Sequence, residues 1–202
     1  MANFYIADTH FGHAAVIRFD RRPFSDVEQM EEVICMNWNA AVKNGDVVYI
    51  LGDFCWKKED EWLRVLNRLN GQKVLILGNH DIRNPSAALK NKFADIKDYK
   101  EIDDKGRKVI LQHYPIMFYK HSQDSNTFML CGHVHNTIEN DCLEAWKKDI
   151  RNGRFPGCVN RTQIINVGAC MPWINYTPRT LDEILRRLPK EERDWYTANQ
   201  LI

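Results

Sequence analysis

Short apolar runs recur along the chain, and each stops abruptly at a polar cluster. Asn3-Phe4-Tyr5-Ile6-Ala7, Val47–Leu51, Lys73–Leu77, Lys108–Gln112 and Phe128–Cys131 are continuous rather than alternating, and most are rich in β-branched or aromatic residues. Each therefore reads as a strand buried on both faces. Between the first three runs the spacing becomes helical. Val27, Met30, Ile34, Trp38 and Ala41 share one helix face, behind a Ser25-Asp26-Val27-Glu28 capping box and ahead of Asn44-Gly45 as a stop. A second helix is predicted from about Lys58 to Leu69, with Trp62, Leu63, Leu66 and Leu69 on one face and Gly71 beyond it. This β-α-β-α-β order favours a parallel sheet covered by helices. The segment holding Phe11-Gly12-His13 and Arg21-Arg22-Pro23-Phe24 reads as a loop.

The second half changes character. A short helix is predicted within Pro85–Phe93, and the turn-prone Asp103-Asp104-Lys105-Gly106 predicts a β-hairpin. Strands ending at His113, at Gly132 and near Val167 follow. One long excursion, 136–163, carries Leu143, Trp146 and Ile150, which mark a short helix; it is predicted to be a lid or specificity insertion. Thr180-Leu181-Asp182-Glu183 is a second capping box, opening a helix to about Leu188, and 190–202 forms a C-terminal tail. Strands separated first by helices and then by hairpins imply two packed sheets with helices outside, in a single domain over 1–202.

Composition narrows the class. Hydrophobic residues at 44% and charged residues at 27% are globular values, which argues against a disordered or fibrous chain. A formal net charge of +1 provides no global field for nucleic acid or an acidic membrane. No apolar run approaches the ~20 residues needed to span a bilayer, so no membrane partner is expected. The six cysteines are scattered, with no C-x-x-C pair, and the chain opens into a strand without a signal-like segment. Both point to a reducing, cytoplasmic location.

The polar clusters that end the strands carry the chemistry. In order they are Asp8-Thr9-His10, Gly52-Asp53, Gly78-Asn79-His80-Asp81, His113 and Gly132-His133-Val134-His135. Carboxylate, imidazole and amide oxygen, with no thiolate among them, suit Mn²⁺, Fe²⁺, Zn²⁺ or Ni²⁺. So many hard donors exceed one tetrahedral zinc and fit two ions sharing a carboxylate. Taken singly, His113 would read as a hydrogen-bonded loop histidine and Asp53 as a turn cap.

The ordered set D-x-H, G-D, G-N-H-D, H, G-H-x-H resembles the calcineurin-like metallophosphoesterases, across about Asp8 to His135. Asp8-Thr9-His10-Phe11-Gly12-His13, Arg22-Pro23-Phe24 and Asn166-Val167-Gly168 look like the small bacterial and phage members. The resemblance implies an α/β, four-layer αββα sandwich of two mixed β-sheets flanked by helices, the metallo-dependent phosphatase fold. It places Asp8, His10 and His135 on a first metal, Asp53 between two metals, and Asn79, His113 and His133 on the second. His80 would stand near the scissile phosphate as acid or charge stabiliser, with Asp81 orienting its imidazole. The implied cofactors are two divalent ions, Mn²⁺ first.

The implied reaction is hydrolysis of a phosphate ester by a metal-bridging hydroxide. A phosphodiester is favoured by analogy with the small bacterial members, with a nucleotide or a nucleic-acid end as candidate substrate. A phosphomonoesterase or a nucleotide pyrophosphohydrolase would use the same site. A non-catalytic protein-binding scaffold on this fold would be expected to have lost ligands, and His80 and the others are present. Two flanking residues stay open. His13 reads as a phosphate contact or as packing beneath the helix. Arg22 reads as a phosphate contact through its fork of donors, or as an ion pair with Glu28, Glu31 and Glu32.

Overall fold

In the computed structural model, which describes residues 1–199, the first half runs β1 (Asn3–Ile6), α1 (Ala14–Phe19), α2 (Val27–Ala41), β2 (Val47–Leu51), α3 (Glu59–Leu66), β3 (Gln72–Ile76), α4 (Ala87–Lys90) and β4 (Asp95–Lys97). The second half runs β5 (Tyr99–Asp104), β6 (Arg107–Gln112), β7 (Thr127–Cys131), α5 (Ile138–Arg151), β8 (Ile164–Asn166), α6 (Leu181–Arg187) and α7 (Lys190–Ala198). One sheet has the order β1-β2-β3-β4 and the other β5-β6-β7-β8. The first is parallel across its strands, with Ile6 opposite Ile50 and Leu51 opposite Ile76, and takes one antiparallel bridge from Tyr5 to Arg179. The second is mixed, because the β5–β6 hairpin is antiparallel while β6, β7 and β8 run parallel.

The layering follows from which side chains share a core. Tyr5 and Tyr49 stack on the face of the first sheet turned to the second, and Val109, Leu111, Phe128, Leu130 and Ile165 join the apolar residues of the first sheet and its helices in one large cluster. Their neighbours Ile110, Met129, Cys131 and Ile164 turn to the opposite face, where they pack with Leu143 of α5. That alternation is the two-residue period of a strand with both faces covered. The continuous apolar runs therefore encode two packed sheets and the helix beyond them. Tyr5 Oη donates to Asp104 Oδ2 at 2.9 Å, a buried tie from β1 to the hairpin.

Several local details differ from the sequence expectation. Asp26, not Ser25, caps α2: its carboxylate accepts from Gln29 N at 2.7 Å, while Gln29 Oε1 accepts from Ser25 N. α1 lies where a loop was predicted, too short for periodicity and burying only Val16. β4 is three residues long and extends the first sheet. α5 occupies 14 residues of the 136–163 excursion, with Leu143, Lys147 and Ile150 buried along it. Among the described residues, no helix is long and apolar enough to cross a membrane.

The tail docks as α7, and its Tyr196 is fully buried; residues 200–202 of that tail lie outside the described residues. Glu192 accepts from Arg151 Nη2 at 2.9 Å and lies 3.1 Å from Lys147 Nζ. Burial opposes ionisation of Glu192, but the Arg151 hydrogen bonds and the Lys147 charge overcome it and hold the carboxyl at about 2, against an ordinary 4.5. A depressed carboxyl gives stability that is present above the unfolded value and lost as pH falls through the folded one. Glu192→Gln is therefore expected to cost on the order of 2–3 kcal/mol at pH 7. In thermal denaturation, the gap from wild type should close between pH 4.5 and about 2.

Candidate metal centre

Every histidine, aspartate or asparagine of the recurring clusters lies just past the end of a strand. Asp8 and His10 follow β1, Asp53 follows β2 and Asn79 follows β3; His113 follows β6, and His133 and His135 follow β7. β1, β2 and β3 are parallel, as are β6 and β7, so each sheet delivers its residues at one edge. The edges are stitched together by backbone hydrogen bonds, including Asp8 N to Gly52 O at 3.0 Å, Ala7 N to Val167 O at 2.9 Å and Gly132 N to His113 O at 2.8 Å.

The backbone there is strained. Asp8 (φ 54°), His10 (51°), Asp53 (51°), His133 (68°) and His135 (45°) all adopt the left-handed region. Such a conformation costs a non-glycine residue of order 1–3 kcal/mol and persists only where surroundings enforce it. The glycines allow close approach instead. A Cβ on Gly132 would lie 2.6 Å from Asp8 Oδ2, and one on Gly78 would collide with Asp53 Oδ1. The glycines of G-N-H-D and G-H-x-H thus make room for the two carboxylates.

Two donor groups result. In the first, the donor atoms of Asp8, His10, Asp53 and His135 all lie within 4.8 Å of one another. His10 Nε2 is 3.2 Å from His135 Nε2 and 3.7 Å from Asp53 Oδ2, and His135 Nε2 is 3.8 Å from Asp8 Oδ1. In the second, Asn79 Oδ1 lies 3.0 Å from His113 Nε2 and 2.9 Å from His133 Nδ1. Asp53 faces both groups, because its other oxygen, Oδ1, is 3.7 Å from His113 Nε2. Donors about 2.1 Å from one ion and at right angles to each other are separated by ~3 Å, close to these spacings.

The electrostatics favour cations. Asp8 is fully buried and Asp53 nearly so, and among the described residues their ion-pair partners are imidazoles only. Burial, with the nearby Asp53 charge adding, raises the Asp8 carboxyl above its usual range. Burial, helped by the charges of His135 and Arg22, drives His10 well below the usual histidine range. Burial also lowers His133, with His113 adding. These two imidazoles, held neutral, keep the lone pair that a metal needs. At His135 burial is outweighed by the hydrogen bond to Asp20, which raises the metal-free imidazole to about 11. His113 Nδ1 lies 2.8 Å from Leu51 O, which leaves its Nε2 facing Asn79 and Asp53.

His80, Asp81, His13 and Arg22 occupy different surroundings. The His80 side chain is 42% exposed, with Nε2 4.0 Å from Asp53 Oδ2. Asp81 does not orient it. The Asp81 carboxylate is buried and accepts from the backbone N–H groups of Gly78 at 2.8 Å and of Asp53 and Phe54 at 3.0 Å, tying the β3 loop to the β2 loop. His80 instead packs against Trp56, with ring centroids 4.5 Å apart. His13 stacks on the same indole at 4.0 Å, near His10 and beside the site. Arg22 contacts neither the solvent face nor the acidic side chains of α2. Its fully buried guanidinium donates to Asp20, to Asp8 O and to Thr9 O.

The sequence pattern missed three neighbours. Asp20 accepts from His135 Nδ1, half-exposed Trp56 flanks His80, and half-exposed Tyr114 lies 4.4 Å from the His133 ring. None stands in a strand-end cluster, and no spacing marks them. Asn166 also secures the centre, donating to His135 O at 2.8 Å and accepting from Gly168 N at 2.9 Å.

Comparison with known proteins agrees with this geometry. The family described as calcineurin-like phosphoesterase matches residues 4–195. The chain belongs to that family. Membership supports a hydrolase of phosphate esters, and the quartet around Asp53 is its candidate site for divalent metal. An uncharacterised protein of Methanocaldococcus jannaschii is 33% identical over 190 residues, 93% of this chain and 91% of that protein. The Gene 66 protein of Mycobacterium phage L5 is 26% identical over 161 residues, 66% of this chain and 77% of that one. The crystal structure of a protein of unknown function from Aquifex aeolicus superposes with a TM-score of 0.66 at 31% identity, covering 92% of this chain and 98% of that one.

Proposed function

We propose that this calcineurin-like phosphoesterase is a dinuclear metal-dependent phosphodiesterase. The observation that carries the reading is the position of Asp53, whose Oδ2 faces His10 and whose Oδ1 faces His113, each at 3.7 Å. Asp8, His10 and His135 would hold one ion, Asn79, His113 and His133 the other, and Asp53 would bridge them. The donor set fits, being hard oxygen and imidazole around two buried carboxylates that no Lys or Arg side chain reaches among the described residues. It suits Mn²⁺ first, with Fe²⁺, Zn²⁺ or Ni²⁺ also accommodated. When bound, such a pair makes water acidic enough to attack phosphorus and clamps the phosphoryl oxygens.

The protein's own groups supply the rest. His80 stands exposed at the edge of the centre, where its imidazole can give a proton to the leaving oxygen. Trp56 on the His80 side and Tyr114 on the His133 side expose aromatic surface beside the two donor groups. Planar groups on both sides of a phosphate would find stacking partners there, which favours a diester of nucleotide type, including a nucleic-acid end. The 136–163 excursion leaves directly from His135 and borders a groove with Phe19 and Ile138, so we assign it to substrate selection. The free cysteines fit a cytoplasmic location.

The test is hydrolysis of bis-p-nitrophenyl phosphate and p-nitrophenyl phosphate by Mn²⁺-loaded protein. The diester is expected to turn over faster. Preference for the monoester would overturn the diesterase part. Failure on both esters with ions bound would overturn the ester reading in favour of a pyrophosphate substrate.

A further inference from the structure

We infer that Asp20 and Arg22 form a buried brace that positions His135 and the β1 loop for metal binding. The inference rests on the dinuclear reading above and adds to it two residues outside the recurring clusters. Both Asp20 oxygens lie 2.9 Å from His135 Nδ1. A carboxylate accepting from Nδ1–H selects the tautomer whose lone pair is on Nε2, the nitrogen 3.2 Å from His10 Nε2 and facing Asp8.

Arg22 extends that hold to the other sheet. Its Nε and Nη2 reach Asp20 Oδ2 at 2.9 and 2.7 Å, Nη2 also donates to Asp8 O at 2.9 Å, and Nη1 donates to Thr9 O at 3.0 Å. The Arg22 and Asp20 side chains are 0% and 2% exposed. Asp8 and His10 are two of the left-handed residues, so the carbonyls that Arg22 grips belong to the strained turn itself. One guanidinium therefore fixes both the turn bearing Asp8 and His10 and the carboxylate that aims His135. A buried ion pair is poor evidence for stability alone, because desolvation offsets its attraction. Here it connects groups brought by β1 and β7.

A competing role for the same atoms is a separate metal site, since donor atoms of Asp20, His135 and Cys170 also lie within 4.8 Å of one another. Arg22 argues against it. Its guanidinium, 2.7 Å from Asp20, already neutralises that carboxylate and would repel a second cation. The guanidinium also rules out the phosphate-contact role for Arg22, because its donors are already engaged.

The test is Mn²⁺ titration of the full chain, followed by electron paramagnetic resonance, for wild type, Asp20→Asn, Asp20→Glu and Arg22→Lys, with metal-free melting as the check on folding. Asp20→Asn keeps the shape but loses the charge, and is expected to weaken one of the two ions by about 10–100-fold and leave the other nearly unchanged. Asp20→Glu should recover part of the loss. Arg22→Lys, which cannot bridge three acceptors with a planar fork, should weaken the same ion. If folded Asp20→Asn binds both ions as tightly as wild type, the brace is wrong while the dinuclear reading stands. If wild type binds no ion, both are wrong. A third ion lost only in the Asp20 variants would establish the separate site and overturn the brace.

Discussion

Replacing Asp53 with asparagine is expected to release both ions and reduce turnover by at least ~10³-fold, about 4 kcal/mol at the transition state. Each carboxylate oxygen of Asp53 faces a different donor group, so the substitution removes charge from both. The amide also aims N–H at one cation, and removes half of the carboxylate charge that Asp8 and Asp53 bring to the centre. Asparagine still offers an oxygen to His80 N, which Asp53 Oδ1 accepts at 3.0 Å, so the loop should survive.

Stability separates this account from simple misfolding. Asp8 is pushed up chiefly by its burial and further by the Asp53 charge. Neutralising Asp53 relieves that repulsion, so the metal-free variant is expected to melt no lower than metal-free wild type. Mn²⁺ should raise the melting temperature of wild type by binding the native state and leave the variant unmoved. Calorimetry with and without Mn²⁺ measures both effects. A variant that still gains stability from Mn²⁺ would show that Asp53 is not shared.

The second large effect is expected at His80. His80→Ala should retain both ions and lose about 10²- to 10⁴-fold in turnover, the range of a general acid. The loss should be greater for alkyl esters, whose leaving oxygen needs a proton, than for p-nitrophenyl esters. Asp53 Oδ2, 4.0 Å from His80 Nε2, is beyond hydrogen-bond reach, so orientation of the ring falls to Trp56, 4.5 Å away and itself backed by His13 at 4.0 Å. Trp56→Ala is therefore expected to show the same signature, with metal retained and turnover reduced, but at roughly tenfold. Equal rates for His80→Ala and wild type on alkyl diesters would remove His80 from the chemistry.

The strands and the residues at their ends were legible because both are local signals. A run such as Val47–Leu51 followed by Gly52-Asp53 states its burial and its stop in seven residues. The glycines were legible as motif letters, but their purpose, clearance for Asp8 and Asp53, emerges only when the edges meet. Asp20 carried no signal at all. It ends a short helix that periodicity could not reveal, and it meets His135 across 115 positions of chain. Arg22 misled because a sequence displays charge and not burial. Asp81 misled because a carboxylate beside a histidine suggests a side-chain partner, whereas its oxygens serve three backbone N–H groups. The sequence marks 190–202 only as a tail, because most of α7 is exposed. What docks it is Tyr196 and Glu192, against partners on α5 and in the core.

Anomalous diffraction from Mn²⁺-soaked crystals would locate the ions. Two peaks are expected roughly 3.5–4 Å apart, on either side of the Asp53 carboxylate. One should lie among Asp8, His10 and His135, and the other among Asn79, His113 and His133. A single peak that Asp53 does not share, or ions bound away from these residues, would contradict the dinuclear centre.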